Sequence, residues 1–196
     1  MNKSLLSLAA ATAMLLGTTS ANAVVYTFNA TLNGANEVGA VSAATATGLA
    51  TLHYDTADNT YDFSMAVFGL SGGSGGKAAN AFHIHGAATT AQNGPVRVSL
   101  DSAPFLSLNA GSTLLVGGNG VAAPVFVTGN GSYGVMSFLD MLRGGLSYVN
   151  VHTTLNPGGA VRGQLIEVSA VPEPSTYAML LAGIVALGFI SRRRQR

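Results

Sequence analysis

From Val24 onward, apolar and polar side chains alternate in short runs, and glycine, asparagine, aspartate or proline ends each run. Alternation with a period of two puts successive side chains on opposite faces of an extended strand, so the chain is constrained toward β-structure. In Val24 to Leu32, residues Val24, Tyr26, Phe28, Ala30 and Leu32 fall on one side and face a core. Gly48 to Tyr54 and Thr60 to Leu70 flank the turn-rich Asp55-Thr56-Ala57-Asp58-Asn59 and read as a hairpin, with Tyr61, Phe63, Met65 and Val67 inward. Further strands are expected at Ala81 to His85, Val96 to Leu100, Val121 to Thr128, Leu146 to Thr153 and Val161 to Val168. One segment breaks the pattern: Val135, Phe138, Leu139 and Leu142 have helical spacing, and Gly144-Gly145 follows, so a short helix is expected over Tyr133 to Arg143. The expected class is all-β, an antiparallel β-sandwich with one short helix.

Charge excludes one function class. The 196-residue chain carries +1 overall, but Lys3, Arg192, Arg193, Arg194 and Arg196 lie at its extremes. Between residues 24 and 171 only Lys77, Arg97, Arg143 and Arg162 oppose Glu37, Asp55, Asp58, Asp62, Asp101, Asp140 and Glu167. This acidic body offers no basic stripe for phosphates, and nucleic acid is excluded as a partner. With no cysteine, the domain relies on its hydrophobic core rather than on disulfides.

The two ends read as targeting segments. Residues 1–23 have Lys3, an apolar run from Leu5 to Leu16, and the small residues Ala21 and Ala23, the pattern of a signal peptide cut by signal peptidase after Ala23. Residues 171–196 hold Pro172-Glu173-Pro174, an uncharged apolar run over 177–190, and the arginine cluster. Fourteen helical residues rise only about 21 Å against a hydrocarbon core of about 30 Å, so this transmembrane helix suits a temporary hold on the membrane. The arginines keep its end cytoplasmic and leave residues 24–170 outside.

Two apparent catalytic signatures fail on context. Gly72-Gly73-Ser74-Gly75-Gly76 satisfies G-x-S-x-G, but a nucleophile elbow needs a strand before it and a helix after it, whereas a strand is expected next at Ala81. The same run ends in Gly76-Lys77 but lacks the leading glycine and following hydroxyl residue of a phosphate loop. No catalytic residue is assigned, and the protein is expected not to be an enzyme.

The histidines carry more information. His83 and His85 lie two apart on an expected strand, so both rings leave the same face about 6.6 Å apart. His152, on another strand, shares its face with Tyr148 and Asn150. Three neutral imidazoles suit zinc or copper with an open fourth position. The competing reading makes them structural, bonded to main-chain carbonyls or to Asn150 and Glu37 in a polar layer. His53, near a turn, reads as an ordinary exposed residue.

Several segments together resemble a known family: Asn33-Gly34-Ala35-Asn36-Glu37-Val38, Phe82-His83-Ile84-His85-Gly86, Asn93-Gly94-Pro95-Val96-Arg97, Tyr148 to Thr153, and Val161-Arg162-Gly163-Gln164-Leu165. In this order they are similar to the CHRD domain, which is repeated in chordin and single in many bacterial exported proteins. The resemblance implies an immunoglobulin-like β-sandwich and makes Glu37, Arg162 and Gln164 family-motif positions. Two departures are Gly39, where the family usually has proline, and Ala160, where it usually has an acid that could partner Arg162. The C-terminal segment resembles the PEP-CTERM sorting signal of Gram-negative bacteria. That implies export across the inner membrane, transient anchoring there, handling by an exosortase, and release to the cell surface or an exopolysaccharide matrix such as a biofilm. Phe82 to His85 also echoes the copper-binding strand of copper/zinc superoxide dismutases, but the bridging histidine, zinc-loop ligands and cysteines have no counterparts, so dismutation does not follow. The expected function is a non-enzymatic structural or adhesion role at the surface; the alternative is a histidine-ligated metalloprotein for metal capture or redox chemistry.

Overall fold

The Asp55 turn pairs two nine-residue strands, and the rest of the sheet grows outward from them. The structure is a computed structural model that describes residues 24–42 and 45–168, together with helical Leu181, Gly183 and Ile184. Strand β1 (Val25–Asn33) leads through a 3-10 turn at Gly34–Asn36 to β2 (Thr47–Asp55) and β3 (Thr60–Phe68). There follow β4 (Ala81–His85), β5 (Val96–Ser99), β6 (Leu106–Ala110), β7 (Thr113–Ala122), β8 (Phe126–Val127) and β9 (Met136–Ser137). Helix α1 (Phe138–Arg143), β10 (Tyr148–His152), β11 (Val161–Gln164) and β12 (Ile166–Val168) complete the order.

Ten of these strands form one antiparallel sheet, in the order β5-β4-β10-β11-β1-β2-β3-β7-β6, with β12 also on β1. Strand β1 joins the two halves. It pairs along its length with β2, and on its other edge with β11 at Asn33↔Arg162 and with β12 at Thr27↔Val168. The sheet curls so that Phe28, Leu32, Leu52, Phe63 and Val67 from one half share a single core with Phe82, Ile84, Val149, Val151 and Val161 from the other. The expected all-β sandwich is thus made from one curled sheet. Its inward alternation in β1 and β3 follows the sequence pattern, with Phe28, Ala30, Leu32, Tyr61, Phe63, Met65 and Val67 all buried. At the start of β1, by contrast, the expected core residues Val24 and Tyr26 are 43% exposed and half-buried respectively, because the sheet's end leaves them uncovered.

The helix is shorter than the expected Tyr133 to Arg143. Ser137 caps it, its hydroxyl accepting from the Asp140 N–H at 3.0 Å, and the residues just before it pair as β9 with β8. Val135, which completed the helical spacing in the sequence, is 71% exposed. Phe138, Met141 and Leu142 are buried, and Phe138 packs against Tyr61 with ring centroids 5.7 Å apart. Strands β6 and most of β7 were not expected from the sequence. The expected strand Val121 to Thr128 is divided between the end of β7 and β8, with Pro124 between them. Gly117, Gly118 and Gly120 make β7 read as a loop, yet Gly118 is required: a Cβ there would meet the Phe105 ring at 2.7 Å. Residues 72–76 are loop and turn leading to β4, with no following helix, as the dismissal of a nucleophile elbow requires.

Candidate metal centre

Strand β4 sits between β5 and β10, and its alternation decides where its histidines point. Phe82 and Ile84 enter the core, so His83 and His85 leave the opposite face. On β10, Val149 and Val151 enter the core, placing Tyr148, Asn150 and His152 on that same outer face. The register opposes Tyr148 to His85, Asn150 to His83 and His152 to Ala81. Two residues apart on one strand and diagonally across to the next, the three imidazoles form a near-equilateral triangle. Their ring centroids lie 5.4 Å (His83 to His85), 5.3 Å (His83 to His152) and 5.8 Å (His85 to His152) apart. One ligating nitrogen from each lies within 4.8 Å of the others.

The second nitrogen of two rings fixes what the first can do. His85 Nδ1 lies 2.9 Å from the Gly94 carbonyl, and His152 Nδ1 lies 3.0 Å from the Pro157 carbonyl. A carbonyl only accepts, so both Nδ1 atoms carry the proton and both Nε2 atoms keep a lone pair. Those two Nε2 atoms, and Nδ1 of His83, are buried and among the described residues have no hydrogen-bond partner. Burial of an unsatisfied polar atom costs about 1–3 kcal/mol, so three in one place call for an occupant.

The site also keeps its imidazoles neutral. Burial, reinforced by the other histidines and by Arg162, pushes His85 down to about 4 despite the Gly94 bond. Burial also lowers His83, helped by His152 and opposed by Asp101, and it lowers His152 against the Pro157 bond. Neutral rings present lone pairs without proton competition at neutral pH. A cleft of about 510 Å³ opens over the triad, bordered by Asn80, Val96, Thr154 and Pro157, so a bound ion would be reachable from outside.

The remaining sequence candidates lie around this layer. His53 is exposed on β2, with Nδ1 2.9 Å from the Thr27 hydroxyl, and does not join the triad. Glu37 sits beside Asn150, whose Nδ2 donates to Glu37 Oε2 at 3.4 Å, while Glu37 Oε1 and Asn150 Oδ1 are buried without partners among the described residues. Burial lifts this carboxyl to about 7, against the lowering influence of Arg162 and Asn150. Gly159, at φ +140°, lets the carboxylate approach: a Cβ there would lie 2.5 Å from Glu37 Oε1. Arg162 and Gln164 occupy the outer face of β11, opposite Asn150 and Tyr148. Ala160, where the family usually has an acid, is buried, and Arg162 bonds carbonyls and amides instead. Bonds from the histidines to main-chain carbonyls were expected under the structural reading, but not that the carbonyls would be those of Gly94 and Pro157. Their only sequence signals are the turns Asn93-Gly94-Pro95 and Asn156-Pro157-Gly158. Ala21, Ala23, Pro172, Glu173 and Pro174 lie outside the described residues, as does all but three positions of the expected helix over 177–190. Among the described residues no helix is long and apolar enough to cross a membrane.

Comparison with known proteins agrees with both resemblances. A family model of the CHRD domain matches residues 28–165, and one of the PEP-CTERM protein-sorting motif matches residues 170–195. No curated protein and no solved structure matches the chain. The described sheet and its histidine layer lie almost wholly inside the first match, and the chain belongs to the CHRD domain family.

Proposed function

We propose that this CHRD domain holds a transition-metal ion, zinc or copper, on His83, His85 and His152, and acts in metal capture at the cell surface. The supporting observation is the convergence of three neutral imidazoles, each with a buried nitrogen that lacks a partner. Three nitrogen ligands with an open fourth position suit zinc, and the general affinity order favours copper(II) over zinc at such a site. A single water donates only twice, so it would satisfy His85 and His152 and could pair with His83 only by accepting from a proton held on its Nδ1. A metal ion takes all three lone pairs. The sorting motif entails processing by an exosortase and export toward the envelope or surface of a Gram-negative cell. Residence in an exopolysaccharide matrix, with transient anchoring on the way, extends that reading.

The test is metal retention. The full chain is stripped with a chelator, loaded with zinc or copper(II), dialysed, and assayed for metal by mass spectrometry. Stoichiometric retention that disappears in His83→Ala and His152→Ala is expected. Absence of retention by the unaltered chain overturns the proposal.

A further inference from the structure

Arg162 is 1% exposed, yet among the described residues no carboxylate lies within ion-pair distance of it. Glu37 acts on it only at longer range. Burying a charge without a direct ion partner costs several kcal/mol, and an apolar side chain of similar volume would close the same space at less cost. What its guanidinium does instead is hold one loop. Nη1 donates to the Gln92 carbonyl at 3.0 Å and to Asn93 Oδ1 at 3.1 Å; Nη2 donates to the Thr89 carbonyl at 2.8 Å and to Gln164 Oε1 at 3.4 Å. Gln164 extends the grip, its Nε2 donating to the carbonyls of Ala88 at 2.9 Å and Gly145 at 2.7 Å.

The held loop ends at Gly94, whose carbonyl accepts from His85 Nδ1. A second route reaches the same two groups. The guanidinium lies 3.4 Å from the Tyr148 ring centroid, and Tyr148 stacks on His85 at 5.0 Å and 11°. Because β10 lies between β11 and β4, Tyr148 has Arg162 on one side and His85 on the other. The Tyr148 hydroxyl accepts from the Gly94 N–H at 3.0 Å.

We infer that Arg162 is the positioning residue of the histidine centre: it sets the Gly94 carbonyl and the Tyr148 ring, and these fix the tautomer and plane of His85. The metal-binding consequence rests on the proposed function, whereas the tautomer consequence holds in the metal-free chain. Outer groups that orient a ligand histidine change metal affinity about 10–100-fold.

The experiment compares the full chain with Arg162→Met, Asn93→Ala and Arg143→Met, measuring zinc affinity by competition and the His85 tautomer by nitrogen NMR without metal. Arg143 pairs with Glu167 at 3.3 Å and covers Tyr26 away from the site, so its variant is a control for losing a surface cation. Arg162→Met is expected to weaken zinc binding about 10–100-fold and to mix the His85 tautomers. Asn93→Ala, which keeps Arg162 and removes one acceptor, is expected to shift both readouts less and in the same direction, and it decides the matter if Arg162→Met does not fold. Arg143→Met is expected to change neither. A folded Arg162→Met or Asn93→Ala chain with a single unaltered His85 tautomer overturns the inference, even if affinity falls. If the unaltered chain binds no zinc, the metal proposal fails and the tautomer readout alone decides the role of Arg162.

Discussion

The two halves of the sheet share one core but treat their outer faces in opposite ways. Across β2, β3, β7 and β6 the register sets Leu49, Ala66, Leu115 and Leu108 in one row, and Leu49 and Leu108 are 65% and 57% exposed. Across β4, β10 and β11 the outer face is polar, and loops cover it: Tyr148, Asn150 and Arg162 are all buried. Strand β10 is buried at four consecutive positions, so it is enclosed on both sides. Exposed leucines are commonplace on protein surfaces; a half- to fully buried layer of histidine, arginine and glutamate is not, because each member requires partners. Arg162 and Gln164 have theirs, and the atoms left over, on the three histidines, Glu37 and Asn150, mark where chemistry is to be sought.

The comparison can be broken most severely through the shared core. Ile84→Ala removes a fully buried side chain from the strand that carries two of the histidines, and a loss of about 2–5 kcal/mol is expected in denaturant unfolding. An effect below about 1 kcal/mol would show that β4 is not anchored by its inner face. Next in size is the effect of the metal itself. Zinc at about 100 times its dissociation constant should stabilise the chain by about 2.7 kcal/mol. His85→Ala should abolish that gain while leaving Leu108→Ser able to show it in thermal unfolding.

A third prediction concerns pH in the metal-free chain. Folded His85, at about 4, binds fewer protons than an unfolded histidine at 6.5, so its contribution is lost as pH falls from about 6.5 toward 4. Folded Glu37, at about 7, binds more protons than an unfolded one at 4.5, so its contribution is lost as pH rises through 7. The two slopes oppose each other between pH 4.5 and 6.5. Glu37→Gln removes one of them, and stability should then rise steadily with pH across that window; a flat profile in the variant would contradict the assignment. The smallest effect is expected on the bare face, where Leu108→Ser should change stability by no more than about 0.5 kcal/mol.

Legibility in the sequence followed the same division. Strands with one buried and one exposed face, β1 and β3, declare themselves by alternation, and β4 lies where expected, at Ala81–His85. Strands β6 and β7 do not, because Leu106 and Leu108 are outward apolar residues and the β7 glycines mimic a loop. The histidine triad was readable as two rings on one strand face plus one on another. Its convergence was not, since it depends on β10 pairing with β4 in one register, a contact between segments far apart in the chain. Main-chain carbonyls such as those of Gly94 and Pro157 carry no residue signature, so the groups that orient His85 and His152 became visible only with the loops in place.

The proposed site requires three imidazoles on one ion rather than a water-filled polar layer. X-ray absorption of the zinc-loaded full chain tests it directly. A first shell with three imidazole nitrogens at about 2.0–2.1 Å and one further light atom is expected. A shell of oxygens without imidazole scattering would contradict it.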